Sequence, residues 1–375
     1  MFIYLDNAAT TKPCAEAVQL AVSAMTENFG NPSSLHRVGL DAQLAVDNAR
    51  KIIADSIGVE SNNIIFTSGA TESNNLALHG ICSAYGRKRR KIVASSVEHA
   101  SVEETLSALE KSGFEIVRVP PGDNGRFYSA DFIKSCDENT VMITMMYVNN
   151  ETGYILPVKE TFSAVKRKYP DIITHTDCVQ AYMKIPFKAN ALNADLISLS
   201  GHKIHAVKGV GALYIKKGVR VLPIATGGKQ ERGIRSGTES VPLICAFGSA
   251  VEKYSPTIKE RYEKVSALKS YLLENLSGID GVSINSVDDA SPYVINISVG
   301  KRSEIMLHFL ESKGIYVSSG SACSKGQQSG VLKQFSISDK NADSALRISM
   351  TAETTEKELD EFANALREGI ETIRG

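Results

Sequence analysis

The chain has 375 residues, of which 43% are hydrophobic, so it can build one large α/β domain with an appendage or two domains. Its 42 basic and 42 acidic residues leave no net charge, which argues against nucleic acid as a partner, because phosphate-backbone binding needs a basic surplus. The longest uncharged apolar stretch, 240–251, is too short to span a membrane, and the first residues lack the pattern of a signal peptide. Six scattered cysteines without a C-x-x-C pair argue against a disulfide framework and a zinc site, so we expect a cytoplasmic protein without a metal.

The first two thirds of the chain alternate helical patterns with short apolar runs. Helices are predicted at 15–28 and 41–57, and Gly58 ends the second one. The helical pattern places Val18, Ala21, Val22 and Met25 on the apolar face of the first helix, and Leu44, Ala45, Ala49, Ile52 and Ile53 on that of the second. Strands are predicted at 63–67, 91–95, 114–119, 141–148, 171–176, 195–200 and 212–215, most of them followed by helices. Continuous apolar strands that alternate with helices predict an α/β fold with a mostly parallel, doubly wound sheet.

The pattern changes after a long helix predicted at 256–276. Strands at 292–299 and 315–318 enclose a helix at 303–313, and the last helix begins at a capping box, Thr355 to Glu358. We therefore predict a large domain over residues 15–257. Residues 1–14 and 258–375 are predicted to form a smaller α+β domain.

Polar residues cluster at the predicted carboxyl ends of the strands, where doubly wound sheets bind their ligands. They are Ser68 to Thr71, His99, Asn150, Asp177, Gln180 and Lys203. The segment Ser68-Gly-Ala-Thr71 joins a strand to a helix, so free backbone N–H groups and the helix dipole predict an anion site there. Simple N-capping of the helix by Ser68 or Thr71 is the alternative.

Lys203 follows a predicted strand through Ser200-Gly-His-Lys203 and precedes a glycine-rich loop. A lysine held there can be partly desolvated, which lowers its pKa and makes it a Schiff-base nucleophile; a solvated loop lysine is the alternative. Together with the anion site and Asp177, Lys203 suits a cofactor that has an aldehyde, a phosphate and a protonated pyridine ring. Three further residues could stack on that ring or hydrogen-bond its oxygen: His99, Asn150 and Gln180. Taken singly, capping or loop roles explain Asp177 and the histidines at 99 and 202.

The chain resembles the cysteine desulfurases, which are pyridoxal phosphate (PLP) enzymes of fold type I in the class V aminotransferase group. The resemblance runs from residue 4 to the last helix. Its motifs are Tyr4-Leu-Asp-Asn-Ala-Ala-Thr-Thr11, Phe29-Gly-Asn-Pro-Ser-Ser34, Thr67-Ser-Gly-Ala-Thr-Glu-Ser-Asn-Asn75, Glu98-His-Ala-Ser101, Val148-Asn-Asn-Glu-Thr-Gly153, Asp177-Cys-Val-Gln180, Ser200-Gly-His-Lys203, Arg235-Ser-Gly-Thr238 and Ser318-Ser-Gly-Ser-Ala-Cys323.

The resemblance implies a role for each matching residue. Lys203 would carry PLP covalently, and His99 would stack on the ring and assist proton transfer. The phosphate would be held by Ala70, Thr71, Ser200 and His202. The ring would be held by Asn150, Asp177 and Gln180. Thr238 would reach the phosphate of the neighbouring subunit, which implies a homodimer with shared active sites. Substrate contacts would come from Arg347, Asn31 and Asn150, and the arginine would bind the substrate carboxylate bidentately.

The resemblance also implies that Cys323 attacks the sulfur of L-cysteine. Alanine then leaves, and a persulfide remains on Cys323 for a sulfur-acceptor protein of iron–sulfur cluster assembly or tRNA thiolation. Cys178 stands where alanine is common, so it could be a second oxidisable thiol. Other readings are a selenocysteine lyase or another PLP-dependent lyase or aminotransferase, and an inactive sulfur-transfer scaffold. A nucleotide-binding protein is disfavoured because no phosphate-binding glycine loop occurs in the right context.

Overall fold

The structure of the chain, a computed structural model, describes residues 2–319 and 330–373. Its strands are β1 (Ile3–Tyr4), β2 (Ile64–Thr67), β3 (Lys91–Ser95), β4 (Glu115–Val119), β5 (Thr140–Met146), β6 (Ile173–Asp177), β7 (Leu196–Ser200), β8 (Gly211–Ile215), β9 (Ser283–Ile284), β10 (Val294–Ser298), β11 (Ile315–Tyr316) and β12 (Ala345–Ser349). Its helices are α1 (Ala15–Thr26), α2 (Arg37–Ile57), α3 (Ala70–Tyr85), α4 (Ala100–Lys111), α5 (Ser129–Ser135), α6 (Val158–Lys168), α7 (Ala189–Leu192), α8 (Val241–Tyr254), α9 (Ile258–Ser277), α10 (Ser303–Ser312), α11 (Gly330–Gln334), α12 (Asp339–Asp343) and α13 (Glu356–Thr372).

Seven strands form the central sheet, in the order β2-β8-β7-β6-β5-β3-β4. All run parallel except β8, which is antiparallel to both of its neighbours. The ten residues 201–210 join β7 to β8 without a crossover helix, and such a connection gives an antiparallel pair because a parallel pair needs a longer crossover. The prediction of an α/β fold with a mostly parallel sheet is therefore confirmed.

Helices cover both faces of this sheet because successive strand residues point to opposite sides. In β2, Ile64 joins the core under α2, α6 and α8, whereas Ile65 joins the core under α3 and α4. The carboxyl ends of the parallel strands stay uncovered at one edge. The predicted polar residues follow the strands at that edge.

The apolar face of α1 differs from the prediction. The alanines Ala17, Ala21 and Ala24 are buried, and α1 packs on α8. Small side chains let two helices approach closely, so the alanine stripe turns inward and the larger side chains face outward. Four residues that the helical patterns place on core faces are 40–60% exposed: Val18 (44%), Val22 (49%), Met25 (56%) and Leu44 (57%). That part of the prediction was wrong.

A second core lies around the antiparallel sheet β12-β10-β9. Helices α9, α10 and α13 supply most of its other apolar side chains, and the predicted capping box of α13 is present at Thr355 and Glu358. Residues 3–8 also belong to this core, because β1 pairs with β11, with Ile3 opposite Ile315. The domain boundaries at 14 and 257 stay predictions. In the part of the chain that the structure describes, no helix is both long and apolar enough to cross a membrane.

Candidate active site

A cavity of about 1270 Å³ opens at the carboxyl ends of the parallel strands. It is bounded by the start of α3, the ends of β6 and β7, and strand β12 of the second core. Ten residues singled out in the sequence line it: Ala70, Thr71, His99, Asn150, Asp177, Gln180, Ser200, His202, Lys203 and Arg347. The fold therefore brings together residues that are up to 277 positions apart, counted from 70 to 347.

Two of the predicted site residues that the structure describes, Asn31 and Thr238, do not line this cavity. Asn31 is exposed, and its side-chain oxygen accepts the N–H of Ser33 at 2.9 Å within a turn. Thr238 is exposed on the loop before α8. Cys323 lies outside the described residues. The roles of all three stay predictions.

The start of α3 offers backbone donors to the cavity. Gly69 precedes the helix with φ 152°, a conformation that favours glycine, and no side chain caps the helix. The alternative of N-capping by Ser68 or Thr71 is thus not what the structure shows. Nearby, the buried Oγ of Ser200 has no hydrogen-bond partner among the described residues. Uncapped N–H groups and an unsatisfied hydroxyl on one cavity wall suit an anion such as a phosphate.

His202 lines the same end of the cavity. Its Nδ1 lies 3.2 Å from Thr10 Oγ1. Burial, followed by the charges of Lys203 and Lys208, lowers the pKa of His202 to about 4. The imidazole is therefore neutral near pH 7 and can donate one hydrogen bond to an anion.

Asp177 is the last residue of β6 and is 5% exposed. Its Oδ2 accepts from Asn74 Nδ2 at 2.8 Å, and its Oδ1 accepts the N–H of Val179 at 2.9 Å. Turns rather than a helix follow it, so it does not cap a helix. Donors on both oxygens hold the carboxyl group in one orientation, in which it can pair with a cationic group in the cavity.

His99 combines two roles that the sequence left as alternatives. It is the N-cap of α4, because Nδ1 accepts the N–H of Ser101 at 3.1 Å, and it also lines the cavity. Burial and then Lys203 lower the pKa of His99, and Asp177 opposes that shift. With Nδ1 as acceptor, the neutral ring carries its proton on Nε2.

Lys203 lies on the single turn of 3-10 helix, Gly201–Lys203, that follows β7. Its Nζ donates to the carbonyl oxygens of Ala8 (2.7 Å) and Ala9 (2.6 Å). The N-terminal segment of the second core therefore contacts the lysine of the large sheet. Rigid elements on both sides hold the amine at the cavity wall.

Arg347 reaches the cavity from β12, and its side chain is 2% exposed. Its Nη2 donates to Asp6 Oδ1 at 2.8 Å, and its Nη1 donates to the carbonyl oxygen of Asn150 at 3.0 Å. A guanidinium held from two sides keeps one orientation. It places a permanent positive charge in the cavity that Lys203 also lines.

Two buried ionisable residues of this region were not predicted from the sequence as site residues. Glu98 lines the cavity, accepts from Ser95 Oγ and from the N–H of Met146 (2.7 Å), and burial raises its pKa to about 8. Lys184 is 7% exposed and contacts Gln180. The available signal for Lys184 was a single charge in the apolar run 181–187. Cys178 is fully buried and burial raises its pKa, so the structure does not favour an oxidisable thiol there.

Comparison with known proteins decides the family. Residues 3–362 match the model of the protein family described as Aminotransferase class-V. The cysteine desulfurase IscS of Methanosarcina thermophila is 38% identical, over 99% of this chain and 93% of its own length. The NifS/IcsS protein homolog of Lactobacillus delbrueckii subsp. bulgaricus is 39% identical, over 98% of this chain and 96% of its own.

The chain belongs to the class-V aminotransferase family, in the group of the cysteine desulfurases. Solved structures of similar proteins have the same fold as this chain. A NifS-like protein superposes with a TM-score of 0.94 at 34% identity, with both chains covered in full. A structure of SspA in complex with cysteine superposes with a TM-score of 0.84 at 31% identity, over 94% of this chain and 100% of that one.

Enzymes of this family depend on PLP. Independently of the family match, the residues that line the cavity suit each part of this cofactor. The uncapped start of α3 and the unsatisfied hydroxyl of Ser200 suit the phosphate, the buried carboxylate of Asp177 suits a protonated ring nitrogen, and Lys203 supplies the amine.

Proposed function

We propose that this protein is a PLP-dependent cysteine desulfurase, which converts L-cysteine to L-alanine and holds the sulfur as a persulfide on Cys323. The observation that carries the proposal is the shared cavity of Lys203, Asp177 and Arg347. It combines an amine for the cofactor, a carboxylate for its ring and a guanidinium for an amino-acid carboxylate.

Each part of the cofactor has matching residues in the cavity. Lys203 would hold the aldehyde carbon, and Asp177 the ring nitrogen. The phosphate would be held by the start of α3 with Ala70 and Thr71, by Ser200 and His202, and by Thr238 of a second subunit. His99 would cover the ring face, and Asn150 and Gln180 would hydrogen-bond its oxygen. Bound PLP supplies an electron sink for negative charge on the substrate's α-carbon.

The chain's own residues then orient the substrate and move protons. Arg347, with Asn31 and Asn150 as further predicted contacts, would bind the substrate carboxylate. Asn150 already accepts from the guanidinium through its carbonyl oxygen. Because burial lowers the pKa of His99, this imidazole is neutral near pH 7 and can accept a proton. The amine of Lys203 is the second basic group in reach of the same space.

Cys323 is the proposed nucleophile. Its thiolate would attack the substrate sulfur, so that an S–S bond forms as the carbon–sulfur bond breaks. The electron pair of the broken bond stays with the three-carbon fragment, which takes up a proton and leaves as alanine. The cysteines that the structure describes are all buried: Cys14, Cys82, Cys136, Cys178 and Cys245. Burial raises the pKa of Cys82 and Cys136 to about 12 and of Cys245 to about 11, so these thiols are poor nucleophiles.

A homodimer with shared active sites is part of the proposal. Thr238 is exposed and lies outside its own chain's cavity, which is consistent with a contact to a second copy. Large apolar side chains are exposed on α1, on the start of α2 and between them, as expected of a surface that another chain covers. They are Val18, Leu20, Val22, Met25, Phe29, Leu35, Val38, Leu40 and Leu44.

The persulfide sulfur would pass to an acceptor protein, such as a scaffold of iron–sulfur cluster assembly or an enzyme of tRNA thiolation. The scattered cysteines of the sequence support a cytoplasmic setting, where thiols stay reduced.

The test is the release of alanine and sulfide from L-cysteine in the presence of a thiol reductant. Wild type is compared with Cys323→Ala and with Cys136→Ala as a control that removes a buried thiol outside the cavity. We expect wild type and Cys136→Ala to be active and Cys323→Ala to be inactive. Equal activity of all three would instead indicate a lyase that needs no cysteine nucleophile, such as a selenocysteine lyase.

A further inference from the structure

A buried lysine, Lys184, lies near the partly buried Lys203. Lys184 follows Gln180 by four residues in the turns after β6 and is 7% exposed. Its Nζ donates to Gln180 Oε1 at 2.8 Å. Gln180 Nε2 donates to the carbonyl oxygen of Ala8 at 2.9 Å, and Lys203 Nζ donates to the same oxygen at 2.7 Å. A hydrogen-bonded series therefore joins the two lysines.

This series determines the orientation of the Gln180 amide from both ends. The carbonyl of Ala8 can only accept, so it requires the amide NH₂ group. Lys184 supplies the donor that the amide oxygen needs, because a buried carbonyl without a donor is costly. One N–H of Gln180 is used by Ala8, and the other is left for a ligand in the cavity that Gln180 lines.

We propose that Lys184 is a positioning residue, which holds the side-chain oxygen of Gln180 and so makes this residue a hydrogen-bond donor to the bound cofactor. The inference rests on the proposed function, in which Gln180 contacts the ring oxygen of PLP. Lys184 itself does not line the cavity and acts through Gln180.

The surroundings of Lys184 argue against a merely structural role. Burial, followed by the charges of Lys203 and Arg347, lowers the pKa of Lys184 to about 7. An apolar side chain of similar length would fill this place without the cost of burying an amine next to two cations. The charged and titratable groups around it are Lys203, Arg347, His202, His205, Arg261 and Tyr293. None of these groups is a carboxylate.

The test is a pH titration of the visible absorbance of the PLP-bound protein, without substrate, for wild type and Lys184→Met. A hydrogen-bond donor at the cofactor's ring oxygen, here the Gln180 amide, favours the deprotonated form of the bound cofactor. We therefore expect the midpoint of Lys184→Met to rise by about one pH unit. We also expect the PLP dissociation constant to rise by about tenfold. An unchanged midpoint would overturn the inference.

The matched control is Lys269→Met. Lys269 is also buried (8% exposed), and its Nζ donates to the carbonyl oxygens of Asp288 and Ala290 at 3.0 Å each, outside the cavity. Its loss should lower the unfolding temperature and leave the midpoint of the titration unchanged. A shift of the same size in this variant would mean that the loss of any buried lysine moves the midpoint, and would overturn the inference.

A double-mutant cycle separates positioning from charge. In a Gln180→Leu background, the added change Lys184→Met should shift the midpoint much less than it does in wild type. A full, additive shift would show that Lys184 acts by its charge alone and would overturn the proposal. The double variant Gln180→Leu/Lys184→Met has no buried amide oxygen that lacks a donor. Its comparison with Gln180→Leu therefore still tests the proposal if Lys184→Met alone does not fold. Because no substrate is present, a failure of alanine release would affect the proposed function but not this result.

Discussion

The side-chain amide of Asn74 donates to Oδ2 of Asp177 over 2.8 Å, and this buried hydrogen bond joins α3 to the end of β6. The same nitrogen of Asn74 donates to Ser101 Oγ at 2.8 Å, and that hydroxyl lies 2.9 Å from His99 Nδ1. The carboxylate proposed for the ring nitrogen and the imidazole proposed for the ring face are therefore oriented by one network. Helix α3 thus contributes to the cavity in two ways, since its first residues also line it at the proposed anion site.

Removal of this amide should weaken cofactor binding. Asn74→Ala takes away one of the two donors to the Asp177 carboxylate, and a hydrogen bond to a charged group contributes about 1.5–3 kcal/mol. We expect the PLP dissociation constant to rise by at least about tenfold, measured by fluorescence or absorbance titration of the apoprotein. The control is Asn75→Ala, since the Asn75 amide donates to Thr71 O within the helix and, among the described residues, not to Asp177. Equal effects of both variants would contradict the role of Asn74.

The ion pair of Arg50 and Glu231 should be important for stability. The two side chains are 8% and 2% exposed, and both guanidinium nitrogens Nη1 and Nη2 contact the carboxylate at 2.7 Å. Arg50→Met would leave the carboxylate buried without its cation, which we expect to cost about 3–5 kcal/mol of unfolding free energy. Urea unfolding measures this.

An exposed ion pair serves as the control for that measurement. Arg37 and Asp41 pair at 3.0 Å on α2 but are 83% and 38% exposed. Arg37→Ala should cost no more than about 1 kcal/mol, because solvent screens such pairs. If Arg50→Met were equally mild, the buried pair would not stabilise the loop before α8.

Acid should destabilise the protein in part through His175. This residue is fully buried between Thr144 Oγ1 (2.8 Å) and Ser198 Oγ (3.0 Å), and burial lowers its pKa to about 3. In the unfolded chain the histidine has an ordinary pKa of about 6.5, so at a pH between about 3 and 6.5 it is protonated there but neutral in the folded chain. The contribution of His175 to the unfolding free energy is fully present above about pH 6.5. It is lost as the pH falls toward 3, by up to about 1.4 kcal/mol per pH unit.

The variant His175→Asn tests this dependence. Between pH 6 and pH 4, its unfolding free energy should fall less steeply with decreasing pH than that of wild type. Parallel curves for wild type and His175→Asn would rule out His175 as a source of acid sensitivity.

The last helix depends on its capping box. Thr355 Oγ1 accepts the N–H of Glu358 at 3.3 Å, and the Glu358 carboxylate accepts the N–H of Thr355 at 2.8 Å. Thr355→Ala should therefore cost about 1 kcal/mol of unfolding free energy, and Thr355→Ser should cost much less because it keeps the hydroxyl. Thermal or urea unfolding separates the two, and equal losses would show that the cap is not the cause.

Local patterns predicted the large sheet well, because its strands are continuous apolar runs between helices. Each predicted strand of residues 63–215 is present with ends shifted by at most two residues. Strand β12 was not predicted, since its five residues become a strand through pairing with β10, about 50 positions earlier. The exposed face of α1 was missed because valine and methionine are more hydrophobic than the alanines that pack on α8.

The site residues, too, fall into those that local patterns predict and those that depend on distant segments of the chain. Residues at strand ends, such as Asp177 and Lys203, were predicted from the sheet alone. Arg347 came only from the family resemblance, because nothing local places β12 beside the larger sheet. The buried states of Glu98 and Lys184 depend on the packing of distant segments, which no local pattern encodes.

The most direct test of the central proposal is the location of sulfur after one turnover. The PLP-bound protein is treated with L-cysteine without reductant, alkylated, digested and analysed by mass spectrometry. We expect one additional sulfur atom on the peptide that carries Cys323, together with an equivalent amount of alanine, and no additional sulfur in Lys203→Ala. Alanine release with no sulfur on Cys323, or sulfur on one of the buried cysteines instead, would contradict the proposed function.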